Sequence, residues 1–265
     1  MGSEMCIRDR AYIEQGYNII FGTTFGYLDA MAEMAEEYPD VIFLHCSGYL
    51  KNDTNFGNYF GKMYQPRYLS GLAAGAMTES NKIGYVAAFP IPEVIRGINA
   101  FATGVKEVNP DATVEVVWTF TWFGPEAETQ AANALLETGV DVLAQHQDSP
   151  STGIAAEAAG AKWISYNTAY GQDAAPGAFV TAPVWDWGPY YVQVVESIVN
   201  DEFVAEAYWG GMETGLVSLY ELSSDVPADT ATLISERTEE IISGSFDPPI
   251  VEDEFIDNVI GTVNP

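Results

Sequence analysis

Few side chains in this sequence have the type and spacing that catalysis needs. The two histidines, His45 and His146, each end an apolar run, and Cys46 would point to the opposite strand face from His45. The sequence contains no C-x-x-C, H-E-x-x-H, G-x-S-x-G or G-x-x-x-x-G-K-[ST] pattern. We therefore predict no catalytic residue, no metal site and no cofactor. Structural roles are favoured for the histidines, with ligand contact as the alternative.

Aromatic and short polar side chains gather instead where strand-like runs end. Ligands of parallel α/β sheets lie outside these carboxyl ends, where rings can stack on a flat molecule and Asp or Asn can bind its edge. We therefore expect a flat ligand with hydrogen-bonding edges; the alternative is that the rings only plug the strand ends. The six ends are TTFGYLD (23–29), AAFPIPEV (87–94), TFTWFGPE (119–126), AQHQDSPS (144–151), SYNTAY (165–170) and PVWDWGPYY (183–191).

Strand-like and helix-like runs alternate along the chain, as in parallel α/β sheets. The number of strands suits two α/β lobes better than one sheet, and GLAAGA (71–76) is typical of a closely packed helix face. Strands are predicted at 18–24, 41–47, 82–89, 113–120, 140–146, 161–167, 178–185 and 210–222. Helices are predicted at 28–38, 64–78, 92–107, 125–138, 151–159, 188–200 and 228–243. The acidic end from residue 247 to residue 265 is expected to be a surface excursion.

Composition excludes several classes of protein. The 265 residues are 48% hydrophobic, which is enough for a sizeable core, and the formal charge of −28 repels polyanions, so we predict no nucleic-acid partner. No apolar run approaches the roughly 20 residues that span a bilayer. Cys46 is expected to be a buried strand thiol. The opening MGSEMCIRDR (1–10) resembles a translated sequencing-adaptor scar, so native sequence is expected to resume near Ala11.

Three long segments resemble the basic-membrane-protein (BMP, PnrA-like) family of ABC transporter substrate-binding proteins. The resemblance extends from about Gly16 to about Phe246. The segments are SNKIGYVAAFPIPEVIRGINAFATGVKEVNPDATVEVVWTFTWFGPEAE, GVDVLAQHQDSP and VWDWGPYY.

The resemblance implies an α/β protein with the type I periplasmic-binding-protein fold, in which two Rossmann-like lobes are joined by a hinge of crossing strands. It places 11–80 and 184–208 in lobe 1, and 81–182 with about 209–246 in lobe 2 and the hinge. It also implies a purine base or nucleoside ligand in the interlobe cleft and delivery to an ABC permease. The expected location is the periplasm or, with a lipid anchor, the outer face of the cell membrane, and the expected state is a monomer.

Three aromatic residues are implied as ligand contacts by their positions in the family pattern. Phe25 and Tyr27 match the family's loop after its second strand, and Phe25 is expected to contact the ring. Trp122 matches an aromatic of the other lobe and is the stacking candidate.

Four further residues complete the implied site. Asp148 stands where family members commonly carry Asp, and Asn167 stands where relatives often have Asp, so it keeps a hydrogen-bonding role without the charge. Trp185 replaces a Lys of the nucleoside-binding branch, which favours a free base over a ribonucleoside, and Asp186 adjoins it in the segment expected to face the cleft.

One departure and two alternatives accompany this interpretation. The family's first strand has no counterpart here, so lobe 1 is expected to lack a central strand and the cleft a wall. The alternative functions are a ligand-sensing module of the same fold and a nucleoside hydrolase. The lack of catalytic motifs argues against the hydrolase.

Overall fold

The computed structural model describes residues 4–261, with side chains from residue 8 onward. The helices are α1 (Glu4–Glu14), α2 (Leu28–Glu37), α3 (Tyr64–Met77), α4 (Pro92–Val108), α5 (Pro125–Glu137), α6 (Ser151–Ala159), α7 (Gly171–Ala174), α8 (Gly188–Val199) and α9 (Ala228–Ser243). The strands are β1 (Ile19–Gly22), β2 (Ile42–Cys46), β3 (Phe56–Gly61), β4 (Lys82–Ala87), β5 (Thr113–Trp118), β6 (Val142–His146), β7 (Lys162–Ile164), β8 (Phe179–Thr181), β9 (Pro183–Trp185), β10 (Ala207–Gly210), β11 (Val217–Leu219) and β12 (Val259–Ile260).

The chain divides into two compact units. The first unit is Met1–Lys62 with Trp187–Gly210, and the second is Met63–Asp186 with Gly211–Pro265. The chain thus passes between units near residues 62, 186 and 210, whereas the family pattern implies passages near 80, 183 and 209.

In the described part of the first unit, a parallel sheet has the strand order β1-β2-β3-β10. The amphipathic helix α2 packs its buried Met31 and Met34 against Phe43 of β2. Cys46 of β2 is buried, as the sequence predicts. Trp187 and Tyr190 pack on Tyr59 of β3, with ring centroids 5.4 and 4.7 Å away.

Residues 8–10 join this unit through two contacts. The Arg8 guanidinium lies 4.1 Å from the centroid of the Tyr27 ring, and Arg10 pairs with Glu37 of α2. A non-native segment at residues 1–10, as expected from the sequence, would not be predicted to make these contacts. Cys6 lies outside the residues whose side chains are described.

The described part of the second unit has a larger parallel sheet with the order β12-β5-β4-β6-β7-β8, and β9 pairs antiparallel with β11. The run 210–222, predicted as one strand, forms a 3-10 turn at Met212–Thr214 followed by the short β11. Trp163 of β7 is fully buried and donates its indole N–H to the Gln145 side-chain oxygen at 3.0 Å.

Helix α3 belongs to the second unit because it packs tightly on α4. A Cβ on Gly71 would lie 2.0 Å from the Phe101 carbonyl oxygen, and one on Gly104 would lie 2.1 Å from the Tyr68 carbonyl oxygen. The prediction that GLAAGA forms a close-packing face is confirmed. This packing is the physical reason that α3 belongs to the second unit and the first passage between units falls at residue 62.

Residues 247–260 are bound to the second unit rather than forming the expected excursion. The tyrosine hydroxyl of Tyr64 donates to Asp247 at 2.7 Å, and β12 pairs in parallel with β5. The buried Asn99 of α4 donates to the carbonyls of Val251 and Glu254, both at 2.8 Å. Residues 247–260 are therefore part of this unit's structure.

Replacing Asn99 by alanine is expected to release this segment. The side chain makes three hydrogen bonds to it, since its oxygen also accepts from the Ile256 N–H. At about 1 kcal/mol each, their loss should lower the free energy of unfolding by about 3 kcal/mol, measured by urea denaturation. Thr103→Ala, on the same helix, serves as the control. Unchanged protection of 247–260 from proteolysis in the Asn99 variant would contradict the assignment.

Candidate ligand-binding site

A chain of hydrogen bonds joins three of the residues that the sequence singles out. Asp148 follows β6, Asn167 follows β7, and Trp185 ends β9. The Asn167 amide nitrogen donates to Asp148 Oδ1 at 2.6 Å, and the Trp185 indole N–H donates to Asn167 Oδ1 at 3.1 Å. Asp148 and Asn167 thus meet at the carboxyl ends of the neighbouring strands β6 and β7, as the sequence predicts, and Trp185 joins them from β9.

The backbone of this region holds two residues in the left-handed conformation. Asn167 has φ +68°, which asparagine tolerates, but Phe120 has φ +55°, which is strained for a bulky residue. Such strain costs about 1–3 kcal/mol and concentrates at binding sites. Phe120 is also 51% exposed, so its ring is available to a ligand.

An aromatic cluster adjoins the hydrogen-bonded chain. Trp122 lies 5.2 Å from Phe89 and 6.1 Å from His146 between ring centroids, and its carbonyl accepts from the Asp148 N–H at 3.0 Å. His146 in turn lies 4.5 Å from Tyr166. Phe89 and Phe120 were within the predicted strand ends, but composition alone did not distinguish them from plugging residues.

Glu128 of α5 ties together the two loops that carry Trp122 and Asp148. Its side chain is buried, one oxygen accepting from the Gly124 N–H at 2.9 Å and the other from the Ser149 hydroxyl. Burial raises the pKa of this carboxyl, and its hydrogen bonds from Ser149 and Gly124 partly oppose the rise. No sequence pattern indicates this role of Glu128.

A fully buried cation lies beneath the aromatic cluster. Arg67 of α3 donates to the Gln145 carbonyl at 2.7 Å, and its guanidinium carbon lies 3.8 Å from the centroid of the Tyr166 ring. Its Nε and Nη2 have no hydrogen-bond partner among the described residues. Arg67 therefore supports the Tyr166 ring by a desolvated cation–π contact.

Burial is the main cause of the pKa shifts of His146 and Asp148. Burial raises the pKa of Asp148, and the hydrogen bond from Asn167 partly opposes that rise. Burial also lowers the pKa of His146 well below its ordinary value, aided by the positive charges of Arg67 and Arg96. His146 is thus a neutral, buried side chain 3.5 Å from Glu93, which fits the structural role favoured from the sequence.

Glu93 should make stability depend on pH. Burial raises its pKa from 4.5 to about 7, against the opposing charges of Arg96 and Arg67, and its side chain is 21% exposed. The folded state therefore binds this proton more tightly, so the stabilisation is complete below pH 4.5 and is lost as pH rises to about 7.

Glu93→Gln stays neutral at every pH. Its free energy of unfolding, relative to that of the wild type, should therefore rise by up to about 3 kcal/mol between pH 4.5 and about pH 7. Urea denaturation at several pH values measures the difference. Glu126→Gln, an exposed change at the start of α5, is the control. Parallel wild-type and Glu93→Gln stability curves would contradict the assigned pKa.

A cavity of about 200 Å³ opens beside Asp148. Its walls include Gln147, Ser165, Tyr166 and Tyr170. The Gln147 side-chain oxygen is buried and has no hydrogen-bond partner among the described residues. The wall of this cavity therefore includes an unpartnered acceptor close to Asp148.

The remaining predicted site residues are placed differently. Asp186 is exposed, and its backbone N–H donates to the Leu216 carbonyl at 2.9 Å. Phe25 and Tyr27 lie in a 3-10 turn of the first unit, where Phe25 is exposed. Ligand contact by these three residues, as by Trp122, Asp148, Asn167 and Trp185, stays a prediction.

Two kinds of feature are absent from the described residues. Among residues 4–261, no helix is long and apolar enough to cross a membrane. Nor does that part of the chain contain a group of three or more His, Cys, Asp or Glu side chains placed to hold a metal ion.

The architecture is that of the type I periplasmic-binding fold. A solved ABC transporter solute-binding protein of Aeropyrum pernix superposes with a TM-score of 0.79 at 18% identity, covering 94% of this chain and 82% of that one. One from Conexibacter woesei superposes with a TM-score of 0.76 at 22% identity, covering 94% and 85%. At these identities the likeness defines the fold.

Sequence comparison defines the family. A sequence model of the family described as ABC transporter substrate-binding protein, PnrA-like, matches residues 6–247. The chain belongs to this family. The match begins inside the segment 1–10 that the sequence pattern assigns to a scar.

Curated relatives carry names with different ligands. A Haloferax volcanii protein, provisionally named an ABC transporter glucose-binding protein, is 45% identical over 236 residues, 89% of this chain and 60% of the relative. A Brucella abortus protein named a purine-binding protein is 37% identical over 238 residues, 88% of this chain and 66% of the relative. The chain thus spans between three fifths and two thirds of the length of these two relatives.

Proposed function

We propose that this protein is the solute-binding component of an ABC importer and binds a purine base or nucleoside for delivery to a membrane permease. Family membership supports the transport role, and the name of the Brucella abortus relative supports the purine. The proposal includes a monomer that works in the periplasm or anchored by lipid at the outer face of the membrane. It requires recognition and release of the ligand and no bond chemistry.

The observation that carries the proposal is the set of side chains at the strand ends of the second unit. Trp122 and Phe120 provide ring surface, and the carboxylate of Asp148 and the amide of Asn167 provide polar groups beside it. A purine has two apolar faces and a polar edge, so it can use both kinds of contact at once.

A second candidate ligand is a hexose. The name of the Haloferax volcanii relative favours it. Rings also stack on the apolar face of a pyranose, and carboxylates and amides bind its hydroxyls. The two candidates therefore share chemistry at Asp148 and differ in the flat faces that only the purine presents.

Calorimetric titration separates them. The protein is titrated with adenine, hypoxanthine, guanine, their ribonucleosides, glucose and ribose under one buffer condition. We expect at least one purine to bind at least tenfold more tightly than either sugar, a difference of about 1.4 kcal/mol. Binding of glucose without any purine would overturn the proposal and establish the second candidate.

Asp148→Ala should weaken purine binding by at least about 1 kcal/mol, about fivefold in Kd, because a buried hydrogen bond to the ligand is lost. Asp111→Ala, an exposed change in the same unit, should leave the Kd unchanged. An unaltered Kd in the Asp148 variant would remove this residue from the site.

A further inference from the structure

We propose that this protein binds one internal water molecule beside Gly97 of α4, held by Arg67 Nε and His146 Nδ1. The water joins α4 to α3, which carries Arg67, and to β6, which ends at His146. All three elements belong to the second unit. The inference goes beyond the proposed function and stands whichever solute the protein binds.

Gly97 differs from the other glycines at the contact between α3 and α4. A Cβ on Gly71, Gly75 or Gly104 would lie between 2.0 and 2.8 Å from a backbone oxygen of the facing helix. On Gly97 it would lie no closer than 3.8 Å to any atom packed against the helix, so this position has room for an added atom. Glycine inside a helix lowers the folding equilibrium constant about fivefold relative to alanine. Close packing therefore does not explain the glycine at this position.

The two nitrogens nearest to this position are buried and have no hydrogen-bond partner among the described residues. They are Arg67 Nε and His146 Nδ1, and each would lie 3.8 Å from a Cβ on Gly97. Arg67 is fully buried and His146 is 3% exposed. Buried polar groups are costly unless they are hydrogen-bonded. The two nitrogens and the room at Gly97 therefore indicate a small polar ligand there.

Water suits these two nitrogens better than an anion does. Arg67 Nε–H can only donate, whereas His146 Nδ1 accepts when the ring proton is on Nε2 and donates when it is on Nδ1. His146 Nε2 lies 3.5 Å from Glu93 Oε1, so an ionised Glu93 favours the tautomer in which Nδ1 accepts. A water molecule serves either tautomer, but an anion has no hydrogen for Nδ1 and is repelled by the Glu93 charge. Two polar partners are enough to hold an internal water.

Gly97→Ala and Gly97→Ser test the inference by their order of stability. The alanine methyl would take the place of the water and leave both nitrogens buried without a partner. The folding equilibrium constant should therefore fall at least about fivefold relative to the wild type. A serine hydroxyl can accept from Arg67 Nε–H and donate to His146 Nδ1, as the water does. The serine variant should therefore have a folding constant at least about fivefold above that of the alanine variant. Urea denaturation of the full chain measures these constants.

Ala134 of α5 is the control position, because it is exposed within a helix of the same unit. Ala134→Gly should lower the folding constant about fivefold and Ala134→Ser about twofold, as intrinsic helix propensity dictates. The stability order at an ordinary helix position is thus alanine, serine, glycine. At position 97 we expect alanine to be the least stable of the three.

A crystal structure of the wild type tests the site directly. We expect electron density for one water within about 3.2 Å of Arg67 Nε and His146 Nδ1, and none there in Gly97→Ala. An alanine variant more stable than both the wild type and Gly97→Ser would overturn the inference, because the position would then hold no polar ligand. The denaturation series is repeated with sodium acetate in place of sodium chloride. A loss of stability in Gly97→Ala that appears only in chloride would identify an anion and would also overturn the inference.

Discussion

Replacing Gly71 by alanine is expected to lower the free energy of unfolding of the second unit by about 3 kcal/mol or more. The added Cβ would lie 2.0 Å from the Phe101 carbonyl oxygen and 2.8 Å from its carbon. These atoms belong to the backbone of α4, so no side chain can rotate to make room. Helices α3 and α4 would have to move apart along their contact.

Gly177→Ala is the matched control in the same unit. Its Cβ would lie no closer than 3.5 Å to a neighbour, the Glu157 carboxylate, which is ordinary contact. Urea denaturation followed by tryptophan fluorescence compares the two variants. A loss below about 1 kcal/mol for Gly71→Ala would mean that the helices can separate cheaply, contrary to the close packing described here.

The same helix contact supports the candidate site. Helix α3 carries Arg67, and α4 carries Glu93 in its first turn. A Cβ on Gly97 of α4 would lie 3.8 Å from both Arg67 Nε and His146 Nδ1. Separation of the helices would therefore displace the buried groups under Tyr166 as well as lower stability.

Periodic segments of the fold could be predicted from the sequence. The ranges predicted for α6 and α9 agree with the structure at both ends, since each is bounded by Gly at its C-cap with positive φ. Strand β3 was missed, because FGNYFG contains residue types that are rare in strands. Gly57 is required there by a distant segment: a Cβ on it would lie 2.9 Å from the Glu206 carbonyl oxygen.

The candidate site also contains some residues that could be predicted from the sequence and some that could not. The proximity of Asp148 and Asn167 could be predicted because strand ends of a parallel sheet converge, and the structure joins both to Trp185 of β9 by hydrogen bonds. Their contact with a ligand stays a prediction. Arg67 and Glu93 could not be predicted, since a charged residue in a helix ordinarily faces solvent. Their burial depends on packing between elements that are distant in the sequence, which local patterns do not encode.

The second large effect is expected from Arg67→Ala, which should lower the free energy of unfolding by about 2–4 kcal/mol. The change removes a charge-assisted hydrogen bond to the Gln145 carbonyl and the cation–π contact with Tyr166. It also leaves a cavity in a fully buried position. The change also removes Nε and Nη2, which are buried without a hydrogen-bond partner among the described residues, and this offsets part of the loss of stability.

Arg67→Met separates charge from packing, because methionine keeps most of the buried volume and has no donors to satisfy. We expect it to lose about half as much stability as alanine. A methionine variant as stable as the wild type would show that the desolvation cost of the buried guanidinium equals the stabilisation from its hydrogen bond and cation–π contact. Tryptophan fluorescence, to which the fully buried Trp163 contributes, checks that the core is retained in each variant.

The pH dependence of the methionine variant decides whether Arg67 acts electrostatically on Glu93. Burial is the largest cause of the raised pKa of Glu93, and the charges of Arg96 and Arg67 hold that pKa down at about 7. Without Arg67 the pKa of Glu93 should rise further, so the loss of stability with increasing pH should continue above pH 7. In the double variant with Glu93→Gln that extension should vanish, because the residue that titrates is gone. An identical pH profile in Arg67→Met and the wild type would leave Arg67 with a packing role alone.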